Sequence, residues 1–293
     1  MGVLFLFLGE GEDEKMKIAG LVVLVLLSVY LWRENRGLDQ TFYRVKDSRI
    51  QKKIKICHLS DFHNREDKKF QERLLNFIEE EKPDYIFLTG DLVDSRRTRP
   101  QLTLDFLRDL VDLAPCYYVT GNHEHRIQGL EGLHRAYKNL GIHILGRDPV
   151  FLEGGLEVHG LQDPRSLGPG LSMKDMEAYY RKNLQERTFS KEAYHVLLVH
   201  RPDFLDLFSS YPFDLIFAGH FHGGQIRLPI LGPLLSPNGK FFPENGEGLV
   251  EKKGTKEIIS RGLGNSSFPL RVHNKPEVLM VTLEGDGNSS KET

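Results

Sequence analysis

The chain has 293 residues, 40% of them hydrophobic and 27% charged, a balance that suits a globular protein with a sizeable core and excludes a disordered or fibrous one. Lys and Arg number 39 against 41 Asp and Glu, a net charge of −2, so no bulk positive field recruits nucleic acid and a nucleic-acid substrate is not expected. The two cysteines, Cys57 and Cys116, sit in separate apolar runs and read as buried free thiols, not as a disulfide or a metal site.

In chain order, residues 1–15 are apolar and then acidic, and Met16 is the expected translation start, which makes them an extension. Residues 18–32 carry no charge and are dominated by Leu and Val. No Ala-x-Ala-like cleavage site follows, and Trp32 and Arg33 suit the interfacial end of a membrane helix. Residues 16–33 are therefore expected to be an uncleaved transmembrane signal anchor that places the protein at the cell membrane in a single pass. Its orientation stays open. Arg33, Arg36, Arg44, Lys46, Arg49, Lys52 and Lys53 follow the segment and only Lys15 and Lys17 precede it, which favours a cytoplasmic domain. A short leader before a signal anchor favours the opposite. Residues 34–52 read as a polar connector.

From Lys53 strands and helices alternate. Residues 53–60, 85–89 and 117–120 read as strands, and 66–81, 101–113 and 128–140 as amphipathic helices, the last ended by Gly141. Residues 151–161 contain Gly154-Gly155, a hairpin turn, and 172–187 form a charged amphipathic helix. The βα rhythm resumes with strands at 195–199 and 214–218 around a short helix at 204–208. A Gly- and Pro-rich stretch runs to Gly248, short strands follow at 257–260 and 277–283, and the polar tail 285–293 is expected to fray. The pattern implies an α/β domain over residues 53–284, with a mostly parallel layer and a second sheet built from the later strands.

Polar residues of metal-ligand type recur where the hydrophobic runs end: Asp61-Phe62-His63, Gly90-Asp91, Gly121-Asn122-His123-Glu124, His200 and Gly219-His220-Phe221-His222. A parallel sheet delivers such residues to one edge. Extended Asp61 and His63, two apart, would point the same way and grip one cation, and His220 and His222 repeat the spacing. Each piece alone has a plain reading: a Gly-Asp turn, an Asn helix cap, a single zinc site. The ordered set points to a metal centre. Oxygen and imidazole donors without thiolate suit two divalent ions such as Mn, Fe or Zn. The remaining histidines, His58, His125, His134, His143, His159, His195 and His273, read mostly as ordinary core or surface residues.

Through Leu59-Ser60-Asp61-Phe62-His63-Asn64, Leu88-Thr89-Gly90-Asp91-Leu92-Val93-Asp94, Val119-Thr120-Gly121-Asn122-His123-Glu124, Gly219-His220-Phe221-His222-Gly223-Gly224-Gln225-Ile226-Arg227-Leu228-Pro229 and Ser260-Arg261-Gly262-Leu263-Gly264, the chain resembles the calcineurin-like metallophosphoesterase superfamily. It is most similar to the membrane-anchored bacterial branch related to UDP-2,3-diacylglucosamine pyrophosphohydrolases. The resemblance implies an α/β two-sheet sandwich flanked by helices and preceded by one transmembrane helix. It implies that Asp61, His63 and His222 hold one metal, that Asn122, His200 and His220 hold the other, and that Asp91 bridges them, with Mn the favoured ion. Two metals roughly 3.5–4 Å apart clamp a phosphoryl group and acidify a shared water for in-line attack. His123 is then the expected general acid for the leaving oxygen, with simple support of the site as its alternative. Glu124 would orient His123 or bond a ligand.

Gln225 and Arg227 follow the second histidine pair as candidate substrate contacts, Arg227 reading equally as a surface ion pair. The apolar run 228–235 would pack in the core or line a groove near the bilayer. The expected activity is hydrolysis of a phosphodiester or pyrophosphate, lipid-linked or membrane-proximal, by a monomer. A metal-binding scaffold without turnover, or a nuclease or cyclic-nucleotide phosphodiesterase, is the alternative.

Overall fold

Neighbouring strand residues point to opposite faces, and here both faces are apolar. Ile56 and Cys57, Phe87 and Leu88, and Leu197 and Leu198 are fully buried pairs of this kind. Such strands need cover on both sides, which sets a layered architecture. The computed structural model, which describes residues 6–228, 232–234, 246–265 and 270–286, provides it.

The N-terminal helix α1 (Leu6–Arg36) leads into β1 (Asp39–Lys46), β2 (Ile54–Leu59), α2 (Lys68–Glu81), β3 (Tyr85–Leu88), α3 (Pro100–Val111), β4 (Cys116–Tyr118), α4 (Leu130–Asn139) and β5 (His143–Ile144). Then come β6 (Val150–Leu152), β7 (Leu156–Leu161), α5 (Met173–Gln185), β8 (Tyr194–Val199), α6 (Leu205–Phe208) and β9 (Leu215–Ala218). Five further strands complete the described residues: β10 (Arg227–Leu228), β11 (Gly232–Pro233), β12 (Gly248–Lys252), β13 (Thr255–Ile259) and β14 (Glu277–Glu284).

Two six-stranded sheets result, ordered β1-β14-β2-β3-β4-β5 and β12-β13-β9-β8-β7-β6. Strands β2 to β5 run parallel, as do β7, β8, β9 and β13. Ile56, Phe87, Val119 and Val281 of one sheet pack against Val158, Val196, Phe217 and Ile258 of the other. The outer face of the first sheet meets α2, α3 and α4 through Phe70, Leu74, Phe106 and Tyr137. The outer face of the second meets α5 and α6 through Met176, Tyr180 and Phe208. Each large apolar side chain buried this way contributes about 1.5–3 kcal/mol. Local signals set the helix ends: Asp67 accepts the Phe70 N–H to start α2, and Ser172 with Asp175 forms a capping box before α5.

The expected α/β class and two-sheet arrangement are present, with three corrections. Residues 39–46, read as connector, form edge strand β1, parallel to β14. Its half-exposed alternation looks polar because only one face is covered. The sheet therefore begins at Asp39, not at Lys53. The last strand does not join the second sheet. β14 returns to the first, antiparallel to β2, while β8 and β9 of the resumed βα rhythm belong to the second. Cys57 and Cys116 are buried and free. Part of the apolar run 228–235 and most of the tail lie outside the described residues.

Within α1, Glu14–Arg36 is 23 residues long and apolar enough to cross a membrane, or to serve as a signal sequence. Its last turns are locked to the domain. Tyr30 Oη accepts the His273 N–H at 3.0 Å, Asn35 Oδ1 accepts the Arg271 N–H at 3.0 Å, and Arg36 lies 3.4 Å from Asp67.

Candidate metal centre

The site residues leave their strands in left-handed backbone. Asp61, His63, Asp91, His220 and His222 have φ of 54, 50, 51, 70 and 49°. Non-glycine residues held this way cost about 1–3 kcal/mol each and cluster at functional sites. The extended i, i+2 geometry expected for Asp61-His63 and His220-His222 is therefore replaced by tight turns, which bend each pair back toward one point. Nor do the residues come from one sheet. Asp61, His63, Asp91 and Asn122 follow β2, β3 and β4 of the first sheet; His200, His220 and His222 follow β8 and β9 of the second. The site sits where the strand ends of the two sheets meet.

These loops touch so closely that side chains are excluded between them. A Cβ on Gly121 would strike the Asp91 carboxylate, and one on Gly219 would strike Ser60 and Asp61. Asp61 Oδ2 accepts from Ser60 Oγ at 2.6 Å and from the His220 N–H at 3.0 Å, tying one sheet to the other. Its Oδ1 is buried without a hydrogen-bond partner among the described residues and lies 3.3 Å from His222 Nε2, which is itself 3.3 Å from His63 Nε2. Asp91 Oδ1 accepts the His123 N–H at 2.8 Å. Asp91 Oδ2 stands 3.2 Å from His200 Nε2 and 3.9 Å from His63 Nε2, between the two groups. His200 Nδ1 donates to the Thr89 carbonyl at 2.7 Å, leaving Nε2 to face Asp91 and the His220 Nδ1 3.1 Å away. Three groups thus converge with donor atoms in reach of a single ion: Asp61, His63 and His222; His63, Asp91 and His123; Asp91, His200 and His220.

Burial pushes His63 down to about 3 and holds His220 and His222 well below the usual imidazole range. Burial pushes Asp61 up to about 6. Burial opposes a charge on His200, yet the neighbouring Asp91 carboxylate lifts it to about 10. Neutral imidazoles facing one another, an orphaned carboxylate oxygen and a single proton held between His200 and Asp91 are what a cation would relieve. The donor set fits divalent ions.

Glu124 is fully buried and does not orient His123. Its carboxylate accepts the backbone N–H groups of Asp91 at 3.0 Å, Gly121 at 2.8 Å and Val93 at 3.1 Å, clamping two ligand loops. Burial, reinforced by Asp91, pushes it up to about 7. His123 stands edge-on to His63, ring centroids 4.7 Å apart. Its Nδ1 accepts the Ser95 N–H at 3.1 Å and lies 3.3 Å from Asp94 Oδ1. Although burial opposes it, the adjacent His123 ring and hydrogen bonds from Arg96 hold Asp94 well below the usual carboxylate range.

Sequence reasoning passed over several residues here. Arg201, 3% exposed, places Nη2 3.2 Å from Asn122 Oδ1, Nη1 2.8 Å from His220 Nε2 and Nε 2.7 Å from Asp163. It thereby sets Asn122 beside the His200–His220 group. Its only sequence signal is its place after His200. Arg271, fully buried, donates to the carbonyls of Arg261 at 2.8 Å and Gly262 at 3.1 Å and lies 3.5 Å from His222 Nδ1. Of the expected substrate contacts, Arg227 is ion-paired with Glu247, and Gln225 is buried with its side-chain amide unpartnered among the described residues. His125 bonds Thr120 Oγ1 at 2.8 Å. A cavity of about 610 Å³ opens beside His63 and Asp94, where Arg36, Arg65, Arg96 and Arg97 outnumber the acids Glu66, Asp67 and Asp94 by one, a mildly basic cleft with Arg65 and Arg97 placed for a phosphate group.

The sequence profile described as Calcineurin-like phosphoesterase matches residues 54–224. The chain is 34% identical over 236 residues to the metallophosphoesterase YkuE of Bacillus subtilis, covering 78% of this chain and 76% of that one. It is 29% identical over 276 residues to a metallophosphoesterase of Aquifex aeolicus, covering 91% and 99%. It is 29% identical over 211 residues to the phosphodiesterase YaeI of Escherichia coli, covering 70% and 72%. The profile runs from β2 through both histidine pairs, over every residue of the converging groups, and the chain belongs to the calcineurin-like phosphoesterase family of metal-dependent phosphoric ester hydrolases.

Proposed function

We propose that the protein hydrolyses a phosphodiester or pyrophosphate, lipid-linked or presented at a membrane surface. Asp61, His63 and His222 would hold one divalent ion and Asn122, His200 and His220 the other, with Asp91 between the two sets and Mn the favoured ion. The two ions, when bound, supply charge to clamp the phosphoryl group and lower the pKa of water. The protein's own groups do the rest. Ser60 and the His220 N–H aim Asp61, the Thr89 carbonyl aims His200, and Arg201 aims Asn122 and His220. In its protonated form His123 gives the Nε2 proton to the leaving oxygen and ends as a neutral ring, whose Nδ1 is free to accept the Ser95 N–H. Asp94, held ionised, stabilises the ring when it is charged.

The observation that carries this reading is the pair of buried groups, Asp61-His63-His222 and Asp91-His200-His220, meeting at Asp91 with His123 alongside. Similarity to the Escherichia coli phosphodiesterase YaeI favours a diester. The apolar N-terminal helix, with Arg36 lining the basic cleft, favours a membrane setting. The same features speak for a link to the membrane-anchored branch related to UDP-2,3-diacylglucosamine pyrophosphohydrolases.

The test is hydrolysis of bis(p-nitrophenyl) phosphate and p-nitrophenyl phosphate with added Mn, with and without EDTA, followed by a panel of lipid phosphates. The diester is expected to be cleaved only with metal, and His123→Ala and Asp91→Asn are each expected to suppress it. Turnover indifferent to chelator and to both substitutions would remove the dimetal mechanism. Cleavage of soluble nucleotides far above any lipid phosphate would remove the lipid substrate.

A further inference from the structure

A second cavity, of about 800 Å³, lies where the end of α1 meets α2. One wall is the apolar helix surface of Leu26, Val29, Tyr30 and Trp32. Three of these are largely bare: Leu26 is 64%, Val29 49% and Trp32 58% exposed. The facing rim carries Lys69, Arg73 and Lys275, and Arg33 and Arg36 add to it from the helix. Glu34 and Asp67, the acids of the same lining, are already engaged, Glu34 by the Asn274 N–H at 2.9 Å and Asp67 by the Phe70 N–H at 3.2 Å. Asp67 also faces Arg36 at 3.4 Å, and the five cations of the lining outnumber its two acids, so the rim is net positive.

Arg36 and Asp67 line this cavity and also the basic cleft that reaches His63 and Asp94. The two cavities are thus neighbours, separated by the Arg36–Asp67 pair, between the bare helix surface and the metal centre. The helix end is fixed there. Arg65 Nη2 donates to the Asn35 carbonyl at 2.6 Å, and Glu34 is only 9% exposed. A helix that served only as a tether would not need this interlock. In a membrane-crossing helix, Trp32 and Arg33 stand at the level of lipid head groups, where the cavity would open.

We propose that this cavity binds the apolar chain of an amphiphilic phosphate ester, with its anionic head passing Arg36 into the metal centre. The N-terminal helix is then a wall of the substrate site and contributes to the choice of substrate. This site deepens the hydrolase reading above and rests on it. Apolar contact along the helix answers to a hydrocarbon chain, and the cationic rim answers to the charge of the head group.

The test uses the full chain in detergent micelles with Mn and two esters sharing one leaving group, butyl and hexadecyl p-nitrophenyl phosphate. The hexadecyl ester is expected to have the higher kcat/KM, through a lower KM at equal kcat. Val29→Trp, which fills the cavity and keeps the helix apolar, and Trp32→Ala, which removes part of its wall, are each expected to lower the hexadecyl-to-butyl ratio of kcat/KM about tenfold, as withdrawing roughly two methylenes from contact would. Using the ratio cancels any general loss of folded protein, and the unequal partition of the two esters into micelles drops out when each variant is compared with the unaltered chain. An unchanged ratio in both variants overturns the site and leaves the hydrolase standing. Equal stimulation of both esters by added phosphatidylglycerol would mark the cavity as a general lipid site and also overturn it. Hydrolysis of neither ester by the unaltered chain overturns the hydrolase reading instead.

Discussion

Glu34, near the end of the N-terminal helix, accepts the backbone N–H of Asn274 at 2.9 Å. The side-chain amide of Asn274 in turn donates to the carbonyls of His222 at 2.7 Å and Gln225 at 3.2 Å. One residue therefore ties the helix to the loop that carries a candidate metal ligand, and the helix is mechanically part of the site.

Asn274→Ala leaves two buried carbonyls unsatisfied, at a cost of about 1–3 kcal/mol, and frees the His222 turn. Mn affinity is expected to fall about 10–100-fold, as it does when groups that orient ligands are removed. Calorimetric titration of Mn into metal-free protein measures this. Unaltered affinity would show that the tie has no bearing on the metal centre.

Arg201 lies between Asp163, Asn122 and His220, and Asp163 is fully buried. Arg201→Met would strand the Asp163 charge, with an expected loss of about 3–5 kcal/mol in denaturant unfolding. Adding Asp163→Asn should recover much of that stability but not the hydrolytic activity, because Asn122 and His220 remain unsupported. Recovery of both would mean that Arg201 serves stability alone.

His58 is buried on β2, with Nε2 2.8 Å from Thr89 Oγ1 and its ring 5.1 Å from that of Phe217. Burial depresses it to about 3 from the ordinary 6.5. The folded state thus keeps His58 neutral while the unfolded state takes up a proton. Its contribution to stability is full above pH 6.5 and is lost progressively as pH falls toward 3. One proton of difference gives a slope of about 1.4 kcal/mol per pH unit. His58→Gln should flatten the stability profile of the metal-free chain by about that slope between pH 4 and 6, measured by urea unfolding. A profile as steep as before would assign the acid sensitivity to other groups.

Metal removal should act on stability as well as on turnover. The buried Asp61 Oδ1 has no hydrogen-bond partner among the described residues, and His63 and His222 present their nitrogens to each other. Saturating Mn, at about a hundred times its dissociation constant, should stabilise the fold by about 2.7 kcal/mol. Differential scanning calorimetry with Mn and with EDTA measures the shift in Tm. Asp91→Asn should abolish most of it, and a full shift in that variant would place the ions elsewhere.

Much of the site was legible without coordinates because its residues sit in short motifs at the ends of apolar runs. Asp61, His63, Asp91, Asn122, His123, His200, His220 and His222 all come together as buried neighbours at those strand ends. The parts that were not legible depend on partners distant in sequence. Residues 39–46 look like a connector until β14 pairs with them across more than half the chain. Arg201 and Arg271 look like surface cations until burial brings them against His220 and His222. Arg227 takes the ion-pair reading open to it, and only the fold named its partner, Glu247.

The sequence by itself determined the α/β class, the run of ligand-type residues and the apolar helix before them, because periodicity and residue chemistry act within a few neighbours. Only the tertiary structure decided that the ligands come from the strand ends of two sheets packed face to face. Only it decided that their pairs turn through left-handed backbone, and that the N-terminal helix closes the wall of the cleft. Those outcomes rest on close packing between segments far apart in the chain, where a glycine's missing Cβ or a single buried hydrogen bond selects one arrangement over the others.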